Sequence, residues 1–202
     1  MLNVTRLPLG VYQANCYIIR EENASSCCIL DPGGEAKKVL ELLNNRNLKL
    51  EAILLTHGHF DHVGAVKELA EATGCKVYLC TEDLTMPEKF TAGPLIYTDA
   101  YGEGDVLELA GLTIRVMHTP GHTPGSVCLM VDDTIFSGDT LFAGSCGRTD
   151  LPGGNQKTLF ASLLRLADLE GEYTVRPGHS GSTVLSREKE YNPFIKQARA
   201  AR

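Results

Sequence analysis

The sequence lacks most of what would hold it together covalently or place it in a lipid bilayer. Its seven cysteines, at 16, 27, 28, 75, 80, 128 and 146, are odd in number and include no Cys-x-x-Cys pair, which argues against a disulfide framework. Cys28 and Cys128 stand inside apolar runs, Cys28-Ile-Leu30 and Val127-Cys-Leu-Met130, where a reduced cysteine serves as a small buried hydrophobe. No run reaches the roughly 18 apolar residues that a membrane span needs. The opening residues, Met1-Leu-Asn-Val-Thr-Arg6, lack a basic region followed by a long apolar stretch and a cleavage site, so a soluble, cytoplasmic chain is expected. Positive charge is also scarce: 19 Lys+Arg against 25 Asp+Glu give a net charge of −6, and the surface offers no general attraction for nucleic acid or anionic lipid. Low-complexity tracts and solenoid repeats are absent.

What is present suits one domain over residues 1–202, since 43% hydrophobic residues can fill one sizeable core. Short apolar strands are expected at Cys16–Ile19, Cys27–Leu30 and Ala52–Leu55, with the reversal Asp31-Pro-Gly-Gly34 leading into a helix over 35–45. Val63, Val66, Leu69 and Ala70 recur at helical spacing over 62–72, ended by Gly74. A strand is expected at 76–80, and the role of 86–101, lid or long connection, stays open. Strands follow at Val106–Leu109, Thr113–Met117, Ser126–Val131 and Thr134–Phe136, the last two joined by a turn at Asp132-Asp133. A helix over 155–169 carries Leu159, Leu163, Leu164 and Leu166 on one stripe. The strand Tyr173–Arg176 then delivers Pro177-Gly-His179, and Ser186 is a candidate cap for a closing helix.

All six histidines fall in three short segments, 57/59/62, 118/122 and 179, each following an expected strand and flanked by glycine. Any one alone is more simply a satisfied core or capping residue; the pattern is what points to a metal. In Thr56-His57-Gly-His59-Phe-Asp61-His62, four imidazole or carboxylate donors occur within six residues, enough to supply parts of two sites. One loop cannot close either site. His122, Asp139 and His179 supply donors from three other strand ends, and the two oxygens of Asp139 can bridge two ions. Burying these groups together without a cation would carry a large desolvation and repulsion penalty. Asp31, Asp99, Asp105 and Asp132 read as turn or surface residues, and His118 as a residue behind the ligands or in the pocket wall.

Four motifs in order, Thr56-His-Gly-His-Phe-Asp-His62, Thr119-Pro-Gly-His-Thr123, Gly138-Asp-Thr-Leu-Phe142 and Pro177-Gly-His179, resemble the metallo-beta-lactamase superfamily and its glyoxalase II (hydroxyacylglutathione hydrolase) branch, over residues from about 10 to 180. The resemblance implies an α/β fold, the four-layer αββα sandwich with its site at one edge. It implies a first ion on His57, His59 and His122, a second on Asp61, His62 and His179, and Asp139 with a water or hydroxide bridging. It implies two Zn²⁺, with iron or manganese as alternatives in either site. The expected reaction is hydrolysis of a small acyl-thiol such as S-lactoylglutathione, with Asp61 and Asp139 as catalytic carboxylates and no nucleic acid or membrane partner. Oligomeric state has no signal.

The sequence departs from that branch after the last histidine. Only 23 residues follow His179, so most of the C-terminal helical domain that aids glutathione binding is expected to be missing. His179-Ser-Gly181 replaces a Glu-Tyr pair, and Ser145-Cys-Gly-Arg148 replaces a Lys and a Tyr near the thiol. Arg148 can restore the charge or simply pair with Asp150. Gly147-Arg-Thr-Asp150 also resembles the persulfide dioxygenases, which use one iron on two histidines and an aspartate. A lactonase and a non-enzymatic metal scaffold remain the other readings.

Overall fold

The structure, a computed structural model, describes residues 1–201. In chain order its elements are β1 (Leu2–Leu9), β2 (Ala14–Glu21), β3 (Ser26–Leu30), α1 (Ala36–Asn45), β4 (Lys49–Leu54), α2 (Phe60–Val63), α3 (Val66–Thr73), β5 (Lys76–Leu79) and β6 (Asp99–Ala100). They continue with β7 (Val106–Leu109), β8 (Leu112–His118), β9 (Val127–Val131), β10 (Thr134–Gly138), β11 (Leu141–Phe142), β12 (Ser145–Cys146), α4 (Gln156–Ala167), β13 (Thr174–Pro177), β14 (Thr183–Val184), α5 (Leu185–Tyr191) and α6 (Pro193–Ala200). The first six strands form one sheet in sequence order, antiparallel through β3 and parallel from β3 to β6. The second sheet runs β14-β13-β10-β9-β8-β7, antiparallel except where β10 meets β13.

Side chains alternate across a strand, so adjacent apolar residues must each find a separate core. Ile18, Ile29 and Ile53 pack outward with Val39, Leu43, Val66 and Leu69 of the first helical layer. Their neighbours Ile19, Leu30 and Leu54 point inward against Ile114, Leu129 and Phe136 of the second sheet. Cys128, Ile135 and Val175 leave the second sheet on its far side and meet Leu159, Leu163, Leu166 and Ile195 of the closing helices. Three cores between four layers make an αββα sandwich, and two covered faces explain why these strands read as unbroken apolar runs. None of the described helices is long and apolar enough to cross a membrane.

Local differences from the sequence reading have physical causes. The expected helix over 62–72 is two helices broken at Gly64-Ala65, where Ala65 N donates to the Pro32 carbonyl at 2.9 Å instead of bonding within the helix. Ser186 lies inside α5 and caps nothing; the N-cap position is Val184, whose side chain makes no cap bond. The sequence reading missed β1 and α6, the latter begun by Asn192 accepting from Phe194 N and Ile195 N with Pro193 behind it. Residues 81–101 form two short 3-10 turns and β6, with Phe90 reaching the site described next.

Candidate metal centre

β4 ends against the sandwich edge and releases Thr56-His57-Gly-His59 as extended chain, after which α2 turns Asp61 and His62 back toward the same point. The loops after β8, β10 and β13 bring His122, Asp139 and His179 to meet them. His57, His59, His62 and His122 are buried, Asp139 nearly so, and Asp61 and His179 half-buried at the mouth.

Donor atoms of His57, His59 and His122 lie within 4.8 Å of one another, as do those of Asp61, His62 and His179. His59 Nδ1 is 2.9 Å from His122 Nε2, and His62 Nε2 is 3.4 Å from His179 Nε2. Asp139 stands between the triplets: Oδ2 is 3.5 Å from both His122 Nε2 and His179 Nε2, and Oδ1 is 3.6 Å from His62 Nε2. Asp61 Oδ2 sits 3.3 Å from His179 Nε2.

The groups behind the cluster decide which ring nitrogen faces it. His122 Nδ1 lies 2.8 Å from the Arg148 carbonyl, which can only accept, so Nδ1 carries the proton and Nε2 keeps its lone pair. Asp31 does the same for His62, with Oδ2 3.0 Å from Nδ1. Thr56 donates its hydroxyl to Asp31 Oδ2 at 2.6 Å, which leaves the hydroxyl oxygen to accept from His57 Nδ1 at 3.1 Å. Three imidazoles thus present bare Nε2 atoms inward, as metal-binding histidines are usually held.

Asp31 corrects the sequence reading, which put it at a turn or on the surface. Its backbone is indeed at a turn, but the carboxylate is buried and also accepts from Thr56 N at 2.7 Å. Asp83, missed altogether, is buried too and accepts from Gly58 N, Gly125 N and the Thr123 hydroxyl, joining two of the histidine loops. Glycine is required where the loops close on the donors: a Cβ at Gly178 would overlap Asp139 Oδ1 and the His62 ring, and one at Gly147 would overlap the Asp139 carbonyl.

Burial, with His122 and His62 nearby, lowers His59 to about 4, and burial among the other imidazoles depresses His57 well below its ordinary range. For His62 burial also opposes the charge, but Asp139, Asp31 and Asp61 outweigh it and raise the ring to about 9. Asp61 is lowered to about 2; burial opposes this, and the hydrogen bond to His179 and the His62 charge overcome it. Neutral His57 and His59 beside an ionised Asp61 are ready donors for a divalent cation, and binding at His62 would displace the proton that its carboxylate neighbours hold there. Among the described residues His57 Nε2, His59 Nε2 and Asp139 Oδ1 are buried without a hydrogen-bond partner, a costly arrangement that a cation relieves. The residues fit a metal centre.

A cleft of about 520 Å³ opens onto the cluster, walled by Tyr12, Phe60, Phe90, Phe142, Cys146, Arg148 and Leu151. Arg148 is exposed and forms a bidentate pair with Asp150, both bonds at 2.7 Å. His118 does not line the cleft, contrary to its place in the pocket wall; its Nε2 is 2.8 Å from the Pro124 carbonyl. A larger cavity, about 640 Å³ beside β14 and α5, contains none of these donors.

An αββα sandwich with a histidine and aspartate cluster at its edge defines a class of metal-dependent hydrolase. The chain belongs to the metallo-beta-lactamase superfamily, whose family model matches residues 9–179. It is similar to a hydroxyacylglutathione hydrolase, GloC of Haemophilus influenzae, 34% identical and covering 96% of this chain and 98% of that protein. Among solved structures, TTHA1623 in a di-iron-bound form superposes with a TM-score of 0.85 at 41% identity, covering 95% of this chain and 100% of the other. ETHE1 from Myxococcus xanthus superposes at 0.80 with 27% identity, covering 98% and 91%.

Proposed function

We propose that this metal-dependent hydrolase cleaves a small acyl-thiol ester, S-lactoylglutathione or a related hydroxyacyl thioester. His57, His59 and His122 would hold one divalent ion and Asp61, His62 and His179 a second, zinc being the first choice with iron or manganese as alternatives. The observation that carries this reading is Asp139, whose Oδ2 is 3.5 Å from a histidine of each triplet. Such ions polarise a carbonyl and lower the pKa of water to about 7, supplying a nucleophile at neutral pH.

The chain's own groups do the rest. Asp61, kept ionised beside His179 at the cleft mouth, can accept a hydrogen bond from the attacking water and aim it. Asp139, 3.5 Å from a histidine of each triplet, keeps the two in register. The aromatic walls suit a short acyl chain, and about 520 Å³ lies within the usual range for small-molecule sites. Arg148, at the rim, offers its charge to an anionic thiol, although Asp150 already shares it. Likeness to GloC supports the hydroxyacyl-glutathione assignment.

Metal content per chain, measured on protein purified without chelator, tests the reading together with a thioester panel. Two ions and thioester turnover are expected. Asp139→Ala should lose both while its circular dichroism stays that of the parent; parental turnover by that variant would overturn the mechanism. A second reading, a one-iron persulfide dioxygenase, draws on Gly147-Arg-Thr-Asp150 and the likeness to ETHE1. One iron per chain and oxygen uptake with a persulfide would decide for it.

A further inference from the structure

A separate group of donors meets where β5 and β8 end. Cys80 Sγ, a carboxylate oxygen of Glu82 and a ring nitrogen of His118 lie within 4.8 Å of one another. Cys80 precedes the 3-10 turn Thr81–Thr85 and is buried, Glu82 is exposed, and His118 is half-buried, so the trio is anchored on one side and open to solvent on the other. The Cys80 thiol donates to Glu82 Oε2 at 2.9 Å.

His118 supplies the second observation. Its Nε2 faces the Pro124 carbonyl, and because a carbonyl only accepts, Nε2 is the donor there and Nδ1 is the ring nitrogen left to ligate. A backbone carbonyl behind one ring nitrogen is the usual support of an imidazole that ligates through the other. The backbone that carries the ring is held as well: His118 N donates to Glu103 Oε2 at 2.8 Å and its carbonyl accepts from Arg165 at 2.7 Å.

We propose that Cys80, Glu82 and His118 form a further metal site, taking one thiophilic divalent cation of the zinc class and separate from the histidine and aspartate centre. A thiolate, an imidazole and a carboxylate give three protein ligands and leave one position for water. Binding breaks the S–H bond and forms a sulfur–metal bond; the proton passes to solvent, and no electron is transferred. The turn that carries Glu82 also carries Asp83, whose carboxylate holds Gly58 and Gly125, so this ion would sit one residue from the clamp on two histidine loops.

Cobalt(II) titration of the full chain tests the site, because sulfur ligation produces a thiolate-to-cobalt charge-transfer band that imidazole and carboxylate ligands do not. The expected result, on protein whose histidine and aspartate centre is already loaded with zinc, is a band saturating near one further equivalent of cobalt per chain, retained in Cys146→Ser, the cysteine in the main cleft, and lost in Cys80→Ser. Glu82→Gln and His118→Gln should each weaken cobalt binding by at least about tenfold, the scale of loss seen even for groups behind metal ligands. A band that survives Cys80→Ser, the absence of any band, or parental affinity in His118→Gln overturns the proposal. Should Cys80→Ser fail to fold, the Glu82 and His118 variants decide alone. None of these outcomes depends on the thioester reading.

Discussion

Asp31 holds a left-handed backbone, φ 48°, in a stretch that reads as turn, Asp31-Pro-Gly-Gly34. Sequence spacing shows the turn but not that 25 residues later Thr56 returns to bond the same carboxylate. That contact is made by the β3–β4 pairing, a tertiary fact, whereas the histidines announced themselves by residue type and clustering. The carboxylate's role makes a sharp prediction. In Asp31→Asn the amide nitrogen would face His62 Nδ1 or a Thr56 donor, pressing the His62 proton toward Nε2 and blocking the inward lone pair. Metal affinity should fall about 10- to 100-fold in chelator competition, with the fold retained. An unchanged affinity would show that Asp31 serves only the turn.

Among elements, the short turn Thr81–Thr85 ties two of the histidine loops together through one side chain. Asp83 accepts two backbone N–H groups and a hydroxyl from the loops that carry His57, His59 and His122, although burial raises its own pKa and makes the charge costly. Asp83→Ala would leave those buried donors without their acceptor, each worth about 1–3 kcal/mol when uncompensated. Partial rescue by water brings the expected loss to roughly 2–4 kcal/mol, a drop of about 5–15 °C in Tm for a chain of this size, checked by thermal unfolding. A lone aspartate in a polar segment carries no pattern, so the sequence was silent on it. Helices with a long apolar stripe were legible, α4 nearly to its ends, because burial on one face dictates their period. The break between α2 and α3 was not, since it depends on Ala65 N bonding the Pro32 carbonyl, a contact across the fold. β1 went unread although it pairs with β2 along its whole length; only Leu9 is buried and three of its eight residues are exposed, so its apolar signal is weak.

For the whole molecule, apolar runs and turns indicated alternating layers but could not separate two facing sheets from one sheet between helices. The core that Leu54 shares with Ile114 and Leu129 of a second sheet settles it, while its neighbour Ile53 faces the helices. The assembled cluster also sets a pH dependence for chelator-treated protein. His59 falls from its ordinary 6.5 to about 4 on folding, so its contribution is complete above pH 6.5 and is lost as pH falls toward 4; His57 acts in the same direction. His62 rises from 6.5 to about 9, so its contribution is complete below pH 6.5 and is lost as pH climbs through 9. Tm of the metal-free protein should therefore peak near pH 6.5 and decline on both sides. A profile that rises or falls steadily from pH 4 to 9 would contradict this balance.

The spread of the donors along the chain, from His57 to His179, bears on how the protein is made. His57, His59, Asp61 and His62 leave the ribosome long before His122, Asp139 and His179, and neither proposed triplet can close until the second sheet has docked on the first. Firm capture of the ions is thus a late event in biogenesis, and it favours only the assembled form, by about 4 kcal/mol once free metal reaches a thousand times Kd. A nascent or misassembled chain would be left bare and open to proteolysis, so metal content also counts the molecules that finished folding.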